Sequence, residues 1–123
     1  MSSKEFETDS NFRGVPFSRA LEYVKDGGRA HRIGWSGRGM WIALGEGRKI
    51  PASQFWNRHT KAFAESQPDG VAEVLPYLIL KTADDKILMG WLASQTDMLE
   101  KDWVLMHDHT PVTGEKNRQL EKI

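Results

Sequence analysis

The 123-residue chain contains no cysteine, and that absence removes disulfides, thiolate metal centres and thiol nucleophiles at once. Net charge is absent too. Seventeen basic residues balance seventeen acidic ones, so no global positive field draws in DNA or RNA, and any anion must be met by local donors. No stretch approaches the roughly 20 apolar residues of a membrane span, and the opening MSSKEFETDSNFRG has no apolar core of signal-peptide length. These features predict a cytoplasmic protein that is neither exported nor membrane-inserted. Catalytic signatures are also thin. There is no G-x-S-x-G, no H-E-x-x-H and no P-loop, which moves the expectation from turnover toward binding.

What the chain has in excess is tryptophan. Five Trp residues in so short a sequence need a core, an interface or a stacking site to accommodate them. The rest of the composition, 39% hydrophobic and 28% charged, is that of an ordinary globular domain with one core. Residues 1–15 read as a flexible lead-in, 16–107 as a single α+β ligand-binding domain, and 108–123 as a polar tail.

Within the domain, Phe17, Ala20, Leu21 and Val24 recur at helical spacing, and Gly27-Gly28 ends the helix they predict. Strands follow at 29–33 and 40–44, separated by a glycine-rich bend. Residues 45–73, punctuated by Gly45, Gly47, Pro51, Pro68 and Gly70, read as an inserted excursion from the sheet. A short helix inside 52–65 would carry Phe55, Trp56, His59 and Phe63. Two apolar runs, 75–81 and 86–91, flank Asp84-Asp85 and predict a hairpin central in the sheet. Ser94 or Thr96 caps a helix of one or two turns reaching Lys101, and 103–106 is the last strand. The fold class expected is α+β: a small antiparallel sheet with short helices packed on it.

Two segments carry candidate chemistry. In the run 32–39, glycines let backbone N–H groups approach a phosphate, Arg32 and Arg38 bring charge, and Trp35 offers a ring face to a base. The spacing G-x-x-G-x-G is not the dinucleotide fingerprint, and a tight bend whose Trp plugs the core explains the same residues. In the second, Trp91 abuts Ser94-Gln95-Thr96-Asp97, where a helix start offers hydroxyl, amide and carboxylate groups. Ordinary capping accounts for Ser94 and Thr96 without a ligand, while the clustering of four polar types directly after Trp91 favours a site. His107 and His109 could share a strand face toward a metal, but one pair without further ligands reads more simply as solvated, and no metal is expected. His31 and His59 stand isolated.

The stretches FSRALEYVKDG (17–27), GWSGRGM (34–40), LPYLILKTAD (75–84) and WLASQTDMLEKDW (91–103) together resemble a small phage and bacterial family of Thoeris anti-defence sponges. The resemblance implies an α+β homotetramer whose inter-subunit pockets hold cyclic ADP-ribose isomers made by a bacterial TIR-domain sensor. The ligand is held and not cleaved, no cofactor is used, and some relatives also take cyclic oligonucleotides. Carried onto this sequence, the resemblance assigns Trp35 and Trp91 to base stacking and Arg32, Ser94, Gln95, Thr96 and Asp97 to polar contacts. The expected setting is the cytoplasm of an infected bacterium. The long 45–73 segment departs from compact members. Competing readings are an enzyme that degrades the signal using His107, His109 or Asp97, a protein-binding inhibitor acting through aromatic residues in 52–63, and a structural phage protein whose Trp residues are only core.

Overall fold

The computed structural model describes residues 14–36 and 38–107. The expected polar tail and residues 1–13 of the lead-in lie outside the described residues. In chain order the elements are α1 (Phe17–Lys25), β1 (Arg29–Arg32), β2 (Trp41–Gly45), β3 (Arg48–Pro51), α2 (Arg58–Ser66), β4 (Val71–Val74), β5 (Tyr77–Lys81), β6 (Ile87–Met89), α3 (Gln95–Leu99) and β7 (Trp103–Met106), with 3-10 turns at Ile33–Trp35 and Ala52–Gln54. The architecture is α+β. The chain divides into two compact units, one within Met1–Leu44 and Leu78–Ile123, the other Gly45–Tyr77.

The first unit is built on a five-stranded sheet in the order β6-β5-β2-β1-β7. β1 pairs antiparallel with β2 (Ala30 opposite Ile42) and with β7 (Arg29 opposite Met106, Arg32 opposite Trp103), while β5 and β6 form the antiparallel hairpin read from the sequence. That hairpin is not central throughout. β6 is the edge strand and all three of its residues are exposed. A short apolar run is doubly buried only where other elements cover both faces of its strand, and the exposure of all three β6 residues shows that neither face is well covered.

Strand alternation then decides the core. Ala30, Ile42, Leu80 and Trp103 lie in one cluster with Ala20 and Val24 of α1, and Met40, Leu44, Leu78 and Leu105 pack against it at the same parity. Arg29, His31, Trp41, Val104 and Met106 fall on the other face. Trp103 is fully buried, its ring centroid 5.2 Å from those of both Phe17 and Trp35. Its indole N–H donates to the Asp97 main-chain carbonyl at 2.8 Å.

Val15, expected in the lead-in, is tied to β7. Its N–H donates to the Trp103 carbonyl at 2.8 Å and its carbonyl accepts from the Trp103 N–H at 3.0 Å. Gly14 makes this approach possible. Its φ is +94°, and a Cβ there would lie 2.5 Å from the main-chain carbon of Asp102. Gly14→Ala is therefore expected to destabilise the fold by about 1–3 kcal/mol, from positive φ and backbone crowding together. A melting curve checks this; a temperature equal to that of the unsubstituted protein would contradict it.

The second unit pairs β3 with β4 antiparallel, from Arg48 opposite Val74 to Pro51 opposite Val71, and packs α2 against β4 and the Ala52–Gln54 turn, with Ala64 of the helix fully buried. The helix expected inside 52–65 begins later, because Asn57 caps it by accepting from the N–H groups of His59 and Thr60 at 2.9 and 3.1 Å. Ala52–Gln54 forms a separate turn. Trp56, just before the cap, is 92% exposed, and Phe63 is also exposed.

Candidate ligand-binding site

At the end of β1 the chain turns sharply through Ile33–Trp35, with Ser36 in the left-handed region at φ 61° and Gly39 at 74°. The turn has no side-chain cap of its own. Its first two N–H groups are taken instead by Asp102: Ile33 donates to the Asp102 main-chain carbonyl at 2.9 Å and Gly34 to the carboxylate, also at 2.9 Å. A Cβ on Gly34 would sit 2.9 Å from that carboxylate oxygen and 3.0 Å from the Arg32 guanidinium, so a side chain there would push those two groups aside. Trp35 closes the turn, edge-on to Trp91 at 6.1 Å and to Trp103 at 5.2 Å.

Beneath the turn lies an ion cluster. Arg32 donates through Nη1 to Asp97 at 2.8 Å and through Nε and Nη2 to Asp102 at 2.9 and 3.3 Å. The Arg32 and Asp97 side chains are each 11% exposed. Burial works against charge on Asp97, but the Ser94 backbone N–H and Arg32 outweigh it and lower its pKa below the ordinary carboxylate value. Asp102 is lowered likewise: burial opposes its charge, while Arg32 and the Gly34 N–H favour it. Arg32 is raised, chiefly by its hydrogen bond to Asp102.

The residues assigned by resemblance thus come together in part. Trp35, Trp91, Arg32, Ser94 and Asp97 form one neighbourhood, yet their polar groups largely satisfy each other. Ser94 caps α3 by accepting from the Asp97 N–H at 3.0 Å, and Asp97 returns the bond by accepting from the Ser94 N–H at 3.0 Å, a reciprocal capping box. Gln95 and Thr96 are exposed in the first turn of α3. His107 is exposed and lies 5.6 Å from the Tyr23 ring, while His109 lies outside the described residues. Among the described residues no group of three His, Cys, Asp or Glu side chains could hold a metal ion.

Trp35 has a second side. With His31, Arg38, Gly39, Met40, Trp41 and Met106 it lines a pocket of about 230 Å³. Trp41 and Met106 carry no local motif, and the signal that marks them is strand alternation against the buried Ile42 and the half-buried Leu105. Cationic side chains lie near it. Arg38 is in the wall, the Arg29 guanidinium lies 5.2 Å from the Trp41 ring centre, and the Lys81 ammonium, itself ion-paired to Asp85, approaches to within 3.3 Å of where a Cβ on Gly39 would be. A wider depression, formed by Ser18, Arg19, Leu21, Glu22 and Lys25 of α1 alone, has no aromatic wall.

Residues 15–106, which include every element of this neighbourhood, match the family model described as the Thoeris anti-defense 2-like domain. The chain belongs to that family. A relative named Thoeris anti-defense 2, from Bacillus phage SP01, is 37% identical over 89 residues, covering 72% of this chain and 91% of the relative. Membership in the Thoeris anti-defense 2-like family gives the chain an anti-defence role of phage type.

Proposed function

We propose that this anti-defence chain captures an anionic nucleotide of the cyclic ADP-ribose class in the pocket beside Trp35 and holds it uncleaved. The observation that carries the reading is one indole, Trp35, at the end of a glycine-containing turn, lining one pocket together with Trp41 and Arg38. Rings of this kind stack a base whatever its identity, and a guanidinium supplies the charge-assisted bonds that a pyrophosphate takes. Cyclic oligonucleotides share that chemistry and form a broader repertoire for the same walls.

Size argues for a second wall. Pockets that enclose a ligand the size of a drug run to about 300–1,000 Å³, and the Trp35 pocket at about 230 Å³ suits one base and its neighbouring phosphate. Another copy of the chain would close it, as in the homotetramer we infer for the functional form. Turnover is disfavoured by the chemistry nearby. Asp97 and Asp102 are ion-paired to Arg32 and held below the ordinary carboxylate pKa, whereas a general acid or base works best with a pKa near the operating pH. No cofactor is needed for capture, and the setting we infer is the cytoplasm of an infected cell.

The test is to incubate the purified protein with cyclic ADP-ribose, filter the protein away, and quantify the nucleotide in the filtrate before and after heat denaturation. Depletion followed by recovery of unaltered nucleotide is the expected result; recovery of a cleaved product, or no depletion, overturns the reading. Arg38→Ala is the cleanest variant because the side chain is exposed and outside the ion cluster. A charge-assisted bond contributes about 1.5–3 kcal/mol, so retention should weaken by about tenfold or more with the melting temperature unchanged. Unaltered retention by that variant would put the phosphate elsewhere.

A further inference from the structure

We infer that Asp102 is a positioning residue that fixes Trp35 for ligand capture, an inference that rests on the capture reading for its last step but not for its first. Asp102 is the one residue that holds both leading N–H groups of the Ile33–Trp35 turn, Ile33 through its main-chain carbonyl and Gly34 through its side chain. Its own place is fixed from two sides. Behind it, Gly14 lies against its backbone with no room for a Cβ, and the Val15–Trp103 bridge clamps the next residue. In front, Arg32 grips its carboxylate through two nitrogens and reaches Asp97 with a third.

The consequence is a rigid line from β7 to the indole. A 3-10 turn of three residues has few bonds of its own, here the Ser36 N–H to the Ile33 carbonyl, so beyond the packing of the indole on Trp91 and Trp103 its main chain depends on an acceptor for its leading N–H groups. Asp102 supplies that acceptor. Because Arg32 is shared between Asp102 and Asp97, and Asp97 closes the capping box of α3 by accepting from the Ser94 N–H, the turn carrying Trp35 and the segment leading from Trp91 into α3 are bound to a single guanidinium. Trp35 is thereby presented already ordered, and a ring that need not be immobilised on binding gives up less freedom when a ligand stacks on it.

The experiment incorporates 5-fluorotryptophan into the whole chain, assigns the Trp35 and Trp103 fluorine lines with Trp35→Phe and Trp103→Phe, and compares the unsubstituted protein with Asp102→Ala and Asp102→Asn. Asp102→Ala should broaden or split the Trp35 line selectively while the Trp103 line stays narrow, and weaken cyclic ADP-ribose binding by about tenfold. Asp102→Asn keeps an acceptor for the Gly34 N–H, so it should keep a narrow Trp35 line and lose less affinity. Where Asp102→Ala does not fold, Gly34→Ala crowds the same contact from the other side and must give the same selective broadening.

A narrow Trp35 line in Asp102→Ala overturns the positioning role, and so does equal broadening of Trp35 and Trp103, which reports general loosening. A selectively broadened line with undiminished cyclic ADP-ribose binding overturns the step from order to capture. If the unsubstituted protein does not bind cyclic ADP-ribose but Asp102→Ala still broadens the Trp35 line alone, the capture reading falls and the positioning of Trp35 stands.

Discussion

Trp103→Ala is expected to destabilise the first unit by about 3–5 kcal/mol, the range for deleting a buried aromatic side chain. The indole is fully buried and packs on both Phe17 and Trp35, so the vacated volume borders residues from α1 and from the site turn. A second contribution comes from the Asp97 carbonyl, which accepts the indole N–H at 2.8 Å and would lose that bond. An unpaired buried acceptor costs about 1–3 kcal/mol unless water reaches it. Natural domains hold only about 5–15 kcal/mol in total, so the variant should lose a large share of its stability. Urea denaturation followed by near-ultraviolet circular dichroism measures this. A midpoint within experimental error of the unsubstituted protein would mean that Trp103 is not the centre of the core. Trp103→Phe separates the two contributions, since it keeps a ring and loses only the N–H donor and some volume.

The same core shows what could be read from the sequence. α1 was legible because Phe17, Ala20, Leu21 and Val24 repeat at three and four and two glycines follow; both signals are local. The short α3 was legible for the same reason, since Ser94 and Asp97 stand at the spacing of a capping box. The presence of the hairpin was readable from Asp84-Asp85, and Asp85 does adopt a left-handed φ of 65°. Its position at the sheet edge was not, because strand order depends on which partners arrive from elsewhere in the chain. β3 and β4 escaped notice: Arg48–Pro51 is four residues long, mostly exposed and ended by proline, so no alternation marks it.

The site divides along the same line. Trp35 and Trp91 could be named as a pair because each sits beside a local signal, a glycine bend and a helix start. Asp102 could not, since it meets Arg32 from 70 positions away and nothing local distinguishes it from any other surface aspartate. Arg32 and Asp97 were named for a ligand, and the fold turns them toward each other. The consequence bears on mutagenesis: loss of capture in Asp97→Ala would report a lost helix cap and a broken ion pair before it reported a lost contact.

Arg32→Leu should therefore have the largest effect of any single change at the site, and its signature is a dependence on pH. At neutral pH the variant leaves two largely buried carboxylates facing a side chain that cannot compensate them, and removing one partner from such a cluster costs about 3–5 kcal/mol. In the unsubstituted protein, Asp97 and Asp102 have folded-state pKa values below the ordinary carboxylate value. A depressed folded pKa contributes stability that is present above the unfolded pKa of about 3.9 and is lost as pH falls through the folded value. The unsubstituted protein therefore loses this contribution on acidification, whereas the variant has lost the arginine's share of it at every pH. The difference between the two must shrink as pH drops from 7 through the carboxylate range. Urea midpoints at a series of pH values measure it. A difference that is large and constant with pH would show that Arg32 acts through its packed methylenes and not through charge. A difference near zero at neutral pH would mean that water reaches the cluster freely, and the same water would weaken the hold of Asp102 on the Trp35 turn.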